Sequence, residues 1–265
     1  MELDDILYRH YAERGNLMDV EVFTRYEFKY MVDSLTYKRL VEALDPYVNT
    51  DTHGDEEGFY AVRSLYYDTA DNLFHQETLD QEIFRQKLRL RTYGNQPMSD
   101  RAFVEIKKQF RGVVSKRRTL IGLQDGYLIL DGKIKQIPAN RLTSCNQQIL
   151  REIDFLVKFY QLQPRILIIY DRQAFQGIHE TDVRITFDCN LKRVTQNFQF
   201  EPAQYGERIL PADAFVLEVK VDRRMPLWLA RILSELQCFK RRFSKYATGT
   251  EAKTALEETG YGTVV

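Results

Sequence analysis

Lysine, arginine and glutamate recur at every second position in several short stretches of this chain, the spacing that places side chains on one face of a β-strand. Arg25, Glu27 and Lys29 share one face, with Tyr26, Phe28 and Tyr30 on the other. In FRQKLRLRTY, Arg85, Lys87, Arg89 and Arg91 lie opposite Phe84, Leu88 and Leu90. Glu105 and Lys107 oppose Val104 and Ile106, and Arg184, Thr186 and Asp188 oppose Val183, Ile185 and Phe187. Glu218, Lys220 and Asp222 oppose Phe215, Leu217, Val219 and Val221. The bases on these faces outnumber the acids. Such like charges, once confined, repel unless an anion is present, and arginine forks match phosphate oxygens bidentately. The interspersed carboxylates suit a hard, oxygen-seeking cation such as Mg²⁺ or Mn²⁺.

Two simpler explanations compete with a binding site. A half-solvated antiparallel sheet alternates in the same way, and the charges could also neutralise one another as internal salt bridges. Recurrence on five strands and the surplus of bases weigh against both. The opposite faces carry bulky apolar residues suited to helix packing, and closing the sheet would gather the charges in one lumen and remove its exposed edges.

Residues 61–67, 114–120 and 165–172 also read as strands. Helices are expected from Asp33 or Ser34 to about Leu44, from Gln147 to Gln161, and from Pro226 to about Phe239. Turns are expected at 51–58 and 94–101. No linker or repeat divides the chain, so a single domain is expected over 23–265, preceded by an N-terminal helical extension over 1–22.

The balance of 38 basic and 38 acidic residues argues against a nucleic-acid binder. Cys145, Cys189 and Cys238 form no CxxC pair and read as reduced thiols of a cytoplasmic protein. The opening MELDDILYRHYAERGNL lacks the features of a signal peptide, and no apolar run reaches the ~20 residues of a membrane span. There is no GxxxxGK[ST], HExxH or GxSxG motif. His10, His53, His75 and His179 fall in no recognisable pattern.

Taken in order, RYEFKY (25–30), SLYYDT (64–69), KLRLRTYG (87–94), FVEIKK (103–108), SKRR (115–118), YDRQAF (170–175), RITFD (184–188), VLEVKVD (216–222) and FSKYATG (243–249) resemble the triphosphate tunnel metalloenzymes, the CYTH-like superfamily. Within it they are most similar to the VTC-type polyphosphate polymerase domain. The resemblance implies an α+β fold built on a closed eight-stranded antiparallel β-barrel, with helices packed outside. It implies that Arg89, Arg91, Lys107 and Arg184 act on the phosphates in catalysis. Lys29, Lys87, Lys116, Arg118, Arg172 and Lys245 would complete the phosphate-binding set, and Glu218 and then Glu27 would hold Mn²⁺ or Mg²⁺. Hydrolase and cyclase members begin with Glu-x-Glu-x-Lys, whereas Arg25 stands here at the first glutamate. That departure favours the VTC branch.

The activity so implied is transfer of the ATP γ-phosphoryl group onto polyphosphate. A hydrolase of triphosphate or short polyphosphate, and a non-catalytic polyphosphate or nucleotide sensor, remain the alternatives.

Overall fold

The computed structural model describes residues 26–51, 54–94, 101–111, 113–198, 200, 206–222 and 224–251. The expected extension over 1–22, His10, Arg25, His53 and most of the 94–101 turn lie outside the described residues. Along the chain come β1 (Tyr26–Asp33), α1 (Ser34–Leu44), β2 (Val48–Thr50), β3 (Phe59–Asp68), α2 (Leu73–Leu79), β4 (Phe84–Tyr93), β5 (Arg101–Phe110) and β6 (Val113–Gly122). There follow α3 (Leu123–Leu130), α4 (Gln147–Tyr160), β7 (Gln163–Gly177), β8 (Arg184–Val194), β9 (Glu207–Arg208), β10 (Ala214–Val221), α5 (Leu227–Glu235) and α6 (Lys245–Thr250).

The described chain forms two compact units. One comprises residues 65–92 and 101–165, the other residues 26–64, 93–94 and 166–251. In the second unit β1, β10, β8 and β7 pair in that order, all antiparallel, with β2 added to β7 and β9 to β8. Its apolar face joins Tyr30, Val32, Phe187, Leu217, Val219 and Val221 to Leu40 and Leu44 of α1 and to Leu229, Ile232 and Leu233 of α5. Asp33 starts α1 by accepting the Thr36 N–H at 2.7 Å. Phe187 is fully buried and meets Tyr37 and Phe175 edge to face, at centroid distances of 5.0 and 6.0 Å. Phe187→Ala would leave a cavity there, and we expect a loss of about 3–5 kcal/mol in guanidinium unfolding.

In the first unit β4, β5 and β6 form an antiparallel meander. Leu88 and Leu90 face Ile106 and Val104 across β4 and β5. Lys108 and Arg117 of β5 and β6 meet Glu152 of α4 at 2.7 and 2.5 Å. Lys107, Lys116 and Arg118 alternate with these residues and so share the other face. On α3, a Cβ at Gly126 would stand 2.7 Å from Leu90 Cδ1, so this glycine lets the helix lie close on β4.

Two expectations are corrected. The strand order, β1-β10-β8-β7-β3-β4-β5-β6, is an open antiparallel path and not a closed barrel. Non-strand segments bond to both of its terminal strands. On β1, Lys240 bridges Tyr30 and the Arg241 N–H donates to Lys29 O. On β6, Asn146 N–H bonds Thr119 Oγ1 and the Cys145 thiol bonds Leu120 O. The third helix expected from the sequence ends at Glu235, short of Phe239, because Gln237 takes φ 52° and the Cys238 N–H turns back to Leu233 O. The short helices α2, α3 and α6 and the strands β2 and β9 were not expected. No helix among the described residues is long and apolar enough to cross a membrane.

Candidate functional site

The register of the second unit assembles one charged cluster. Lys29 faces Glu218, Glu27 faces Lys220, Lys220 faces Arg184, and Arg172 faces Asp188. The Arg172 fork donates to Asp188, Nε to Oδ1 at 2.6 Å and Nη2 to Oδ2 at 2.8 Å. Lys245, at the first turn of α6, reaches in with Nζ 2.5 Å from Asp188 Oδ2 and 2.8 Å from Glu218 Oε1. Ser244 caps that turn through the Ala247 N–H. Lys29, Lys220 and Arg172 stand 3.7, 3.6 and 3.8 Å from Glu218, so one carboxylate meets four cations. Arg184 pairs with Asp51 at 3.5 Å.

Burial alone would raise both carboxyls. The fields of Lys245, Lys29, Lys220 and Arg172 instead hold Glu218 well below the usual carboxylate range, and Arg172 and Lys245 lower Asp188. Burial pushes Lys220 down to about 7 against the field of Glu218, with Arg172 reinforcing the drop. Since 24% of this side chain stays exposed, water offsets part of that push.

The first unit builds a second cluster around Glu105, which is fully buried. Arg89 Nε donates to Glu105 Oε2 at 2.6 Å, Lys116 Nζ lies 3.1 Å from Oε1, and Arg91 Nε lies 3.9 Å from Oε2. Arg118 faces Glu105 from β6 and lies 4.6 Å over the Phe103 ring. Arg89 also donates to the Tyr66 hydroxyl at 3.1 Å. In the next row Lys87, Lys107 and Lys116 are direct cross-strand neighbours on β4, β5 and β6. Like charges so placed destabilise a sheet by a few tenths to about 1 kcal/mol. These registers set six bases beside Glu105, an arrangement that a bound polyanion would stabilise.

Burial would raise Glu105, yet Arg89, Lys116, Arg91 and Arg118 hold it well below its ordinary 4.5. A carboxyl lowered by folding stabilises fully above its unfolded pKa, and that contribution is lost as pH falls through the folded one. We therefore expect unfolding free energy, followed by urea titration, to hold from pH 7 down to about 5 and to decline below about 4.5.

A VTC domain model matches residues 24–253 of this chain. The chain belongs to the VTC domain family. Vacuolar transporter chaperone complex subunit 4 of Trypanosoma brucei brucei (strain 927/4 GUTat10.1) is 25% identical over 271 residues, 86% of this chain but 34% of that protein. This VTC domain thus spans about a third of that relative. Two solved structures share its fold at 15% identity. A candidate adenylate cyclase of Bacillus halodurans superposes with TM-score 0.51, covering 84% of this chain and 95% of its own. A candidate adenylyl cyclase of Hippeastrum, described as having a dominant triphosphatase activity, gives 0.53 with 86% and 96% covered. The fold is that of the CYTH-like triphosphate tunnel proteins.

The sequence-derived residues thus fall into two groups. Lys29, Arg172, Lys245 and Glu218 converge, with Arg184 and Glu27 on adjacent rows; Arg89, Arg91, Lys116 and Arg118 surround Glu105, with Lys87 and Lys107 alongside. Glu105, Asp188 and Lys220 lay on the alternating faces but had no role assigned, and their place on those faces was the available signal. Asp51 follows β2 with no periodic cue; its N–H bonds Ala174 O of β7, and its carboxylate meets Arg184.

Among the described residues no three His, Cys, Asp or Glu side chains converge into a metal cage. Glu218 and Glu27 are diagonal neighbours across β1 and β10. With Glu218 engaged by Lys245, Lys29, Lys220 and Arg172, that pair would suit a hard cation once phosphates draw those bases away and, with water, complete its shell.

Proposed function

We propose that this VTC domain is a metal-dependent polyphosphate polymerase that transfers the γ-phosphoryl group of ATP onto a growing polyphosphate chain. The observation that carries the reading is the excess of cations on one face. Around Glu105 and on the adjoining lysine row, six bases share a face with one carboxylate. Arg89, Arg91 and Lys107 would hold phosphates there, assisted by Lys87, Lys116 and Arg118. Arg172, Arg184, Lys29 and Lys245 would do so in the other unit. These fixed donors would stabilise charge as it spreads over the transferring group.

A terminal phosphate oxygen of the acceptor attacks the γ-phosphorus, the bond from the γ-phosphorus to the β–γ bridging oxygen breaks, and ADP leaves with that oxygen. The nucleophile is already anionic, so no protein base is required. Glu218 and Glu27 would hold Mg²⁺ or Mn²⁺. When bound, such a cation would neutralise charge on the phosphates.

The match to the VTC domain family favours transfer over hydrolysis. Hydrolysis stays in view because of the triphosphatase described for the Hippeastrum protein. The test is a polyphosphate gel of products from γ-labelled ATP with Mn²⁺ or Mg²⁺. A ladder of labelled chains, reduced at least about 100-fold in Glu218→Ala, supports the polymerase. Labelled orthophosphate alone supports the hydrolase, and tight triphosphate binding without turnover supports a sensor.

A further inference from the structure

We infer that Tyr170 is a positioning residue, whose ring face aligns the Arg172 guanidinium and the Lys245 ammonium for a phosphate chain. The inference rests on the phosphate reading of the second-unit cluster. Tyr170 is 1% exposed, with the Arg172 Cζ 5.3 Å and the Lys245 Nζ 5.0 Å from its ring centroid. Both cations also bond Asp188. The Asp188 fork fixes the plane of the Arg172 guanidinium, but the flexible Lys245 stem can reach its carboxylate oxygens from many angles. A ring face supplies the missing constraint, because its quadrupole attracts both cations.

The backbone is shaped at this point as well. The β7–β8 register shifts between Ile169 and Asp171, opposite Asn190 of β8, which takes φ 52°. Asn190 Nδ2 then donates to Asp171 Oδ2 at 2.8 Å, pinning the chain beside Tyr170. Bulges of this kind re-aim a neighbouring side chain.

The test keeps shape constant while changing the ring's electrostatics. Tyr170→Phe and its mono-, di- and trifluorophenylalanine counterparts are titrated with tripolyphosphate by calorimetry, alongside wild type and Tyr170→Leu. We expect the Phe variant to bind within about twofold of wild type. Affinity should then fall stepwise with each fluorine, reaching about tenfold for the trifluoro ring and for Leu. A flat fluorine series, or a Phe variant as weak as Leu, overturns the positioning role. Absence of tripolyphosphate binding in wild type would instead overturn the phosphate reading beneath it.

Discussion

Glu105→Gln is expected to destabilise the protein by about 3–5 kcal/mol, although the substitution keeps the shape of the side chain. Glu105 is completely buried, and three cations lie within 3.9 Å of its oxygens. Glutamine leaves Arg89, Arg91, Lys116 and Arg118 facing one another without the charge that holds them. For a chain of this size the loss corresponds to a fall in Tm of roughly 10 °C. Tripolyphosphate should then raise the variant's Tm more than it raises that of wild type, because the ligand supplies the missing negative charge and binds only the folded state. A Tm within about 2 °C of wild type would show that Glu105 does not balance this face. An equal ligand-induced rise in both proteins would show that the ligand does not occupy it.

The second large effect concerns Arg172, where charge and geometry can be separated. Arg172→Lys keeps the charge but loses the two-point fork on Asp188. We expect turnover of ATP to fall about 10²–10³-fold with a small loss of stability. Arg172→Ala leaves the buried Asp188 with Lys245 as its remaining close cation, and should cost about 3–5 kcal/mol as well. Full activity in the lysine variant would mean that only the positive charge matters at this position.

How far the sequence could be read depended on the physics of each element. Period-two alternation made β4, β5, β8 and β10 legible, since each has one apolar face packed on helices or neighbouring strands and one charged face. The same alternation carried Glu105 and Asp188 onto the charged faces, but it is silent about which base each carboxylate meets. That depends on cross-strand register, a long-range property: Arg172 opposes Asp188, and Glu105 stands between Arg89 and Arg118. The surplus of bases argued against complete internal pairing. The structure shows shared pairing, in which single carboxylates each hold several cations. Lys245 was reachable only through the FSKYATG motif, because the six-residue α6 is too short to show helical periodicity. Barrel closure rested on the family resemblance and on the cost of exposed edges, whereas the terminal strands β1 and β6 bond instead to short segments around Lys240 and Cys145.

The measurement that tests the central claim most directly is phosphorus NMR of the protein with ATP and Mg²⁺ or Mn²⁺, the metal being chelated before each spectrum. Polymerisation predicts that the γ-phosphate signal of ATP declines as ADP and an internal-polyphosphate resonance grow together, with little orthophosphate. Orthophosphate appearing in step with ADP, with no internal-chain signal, would contradict the transferase account.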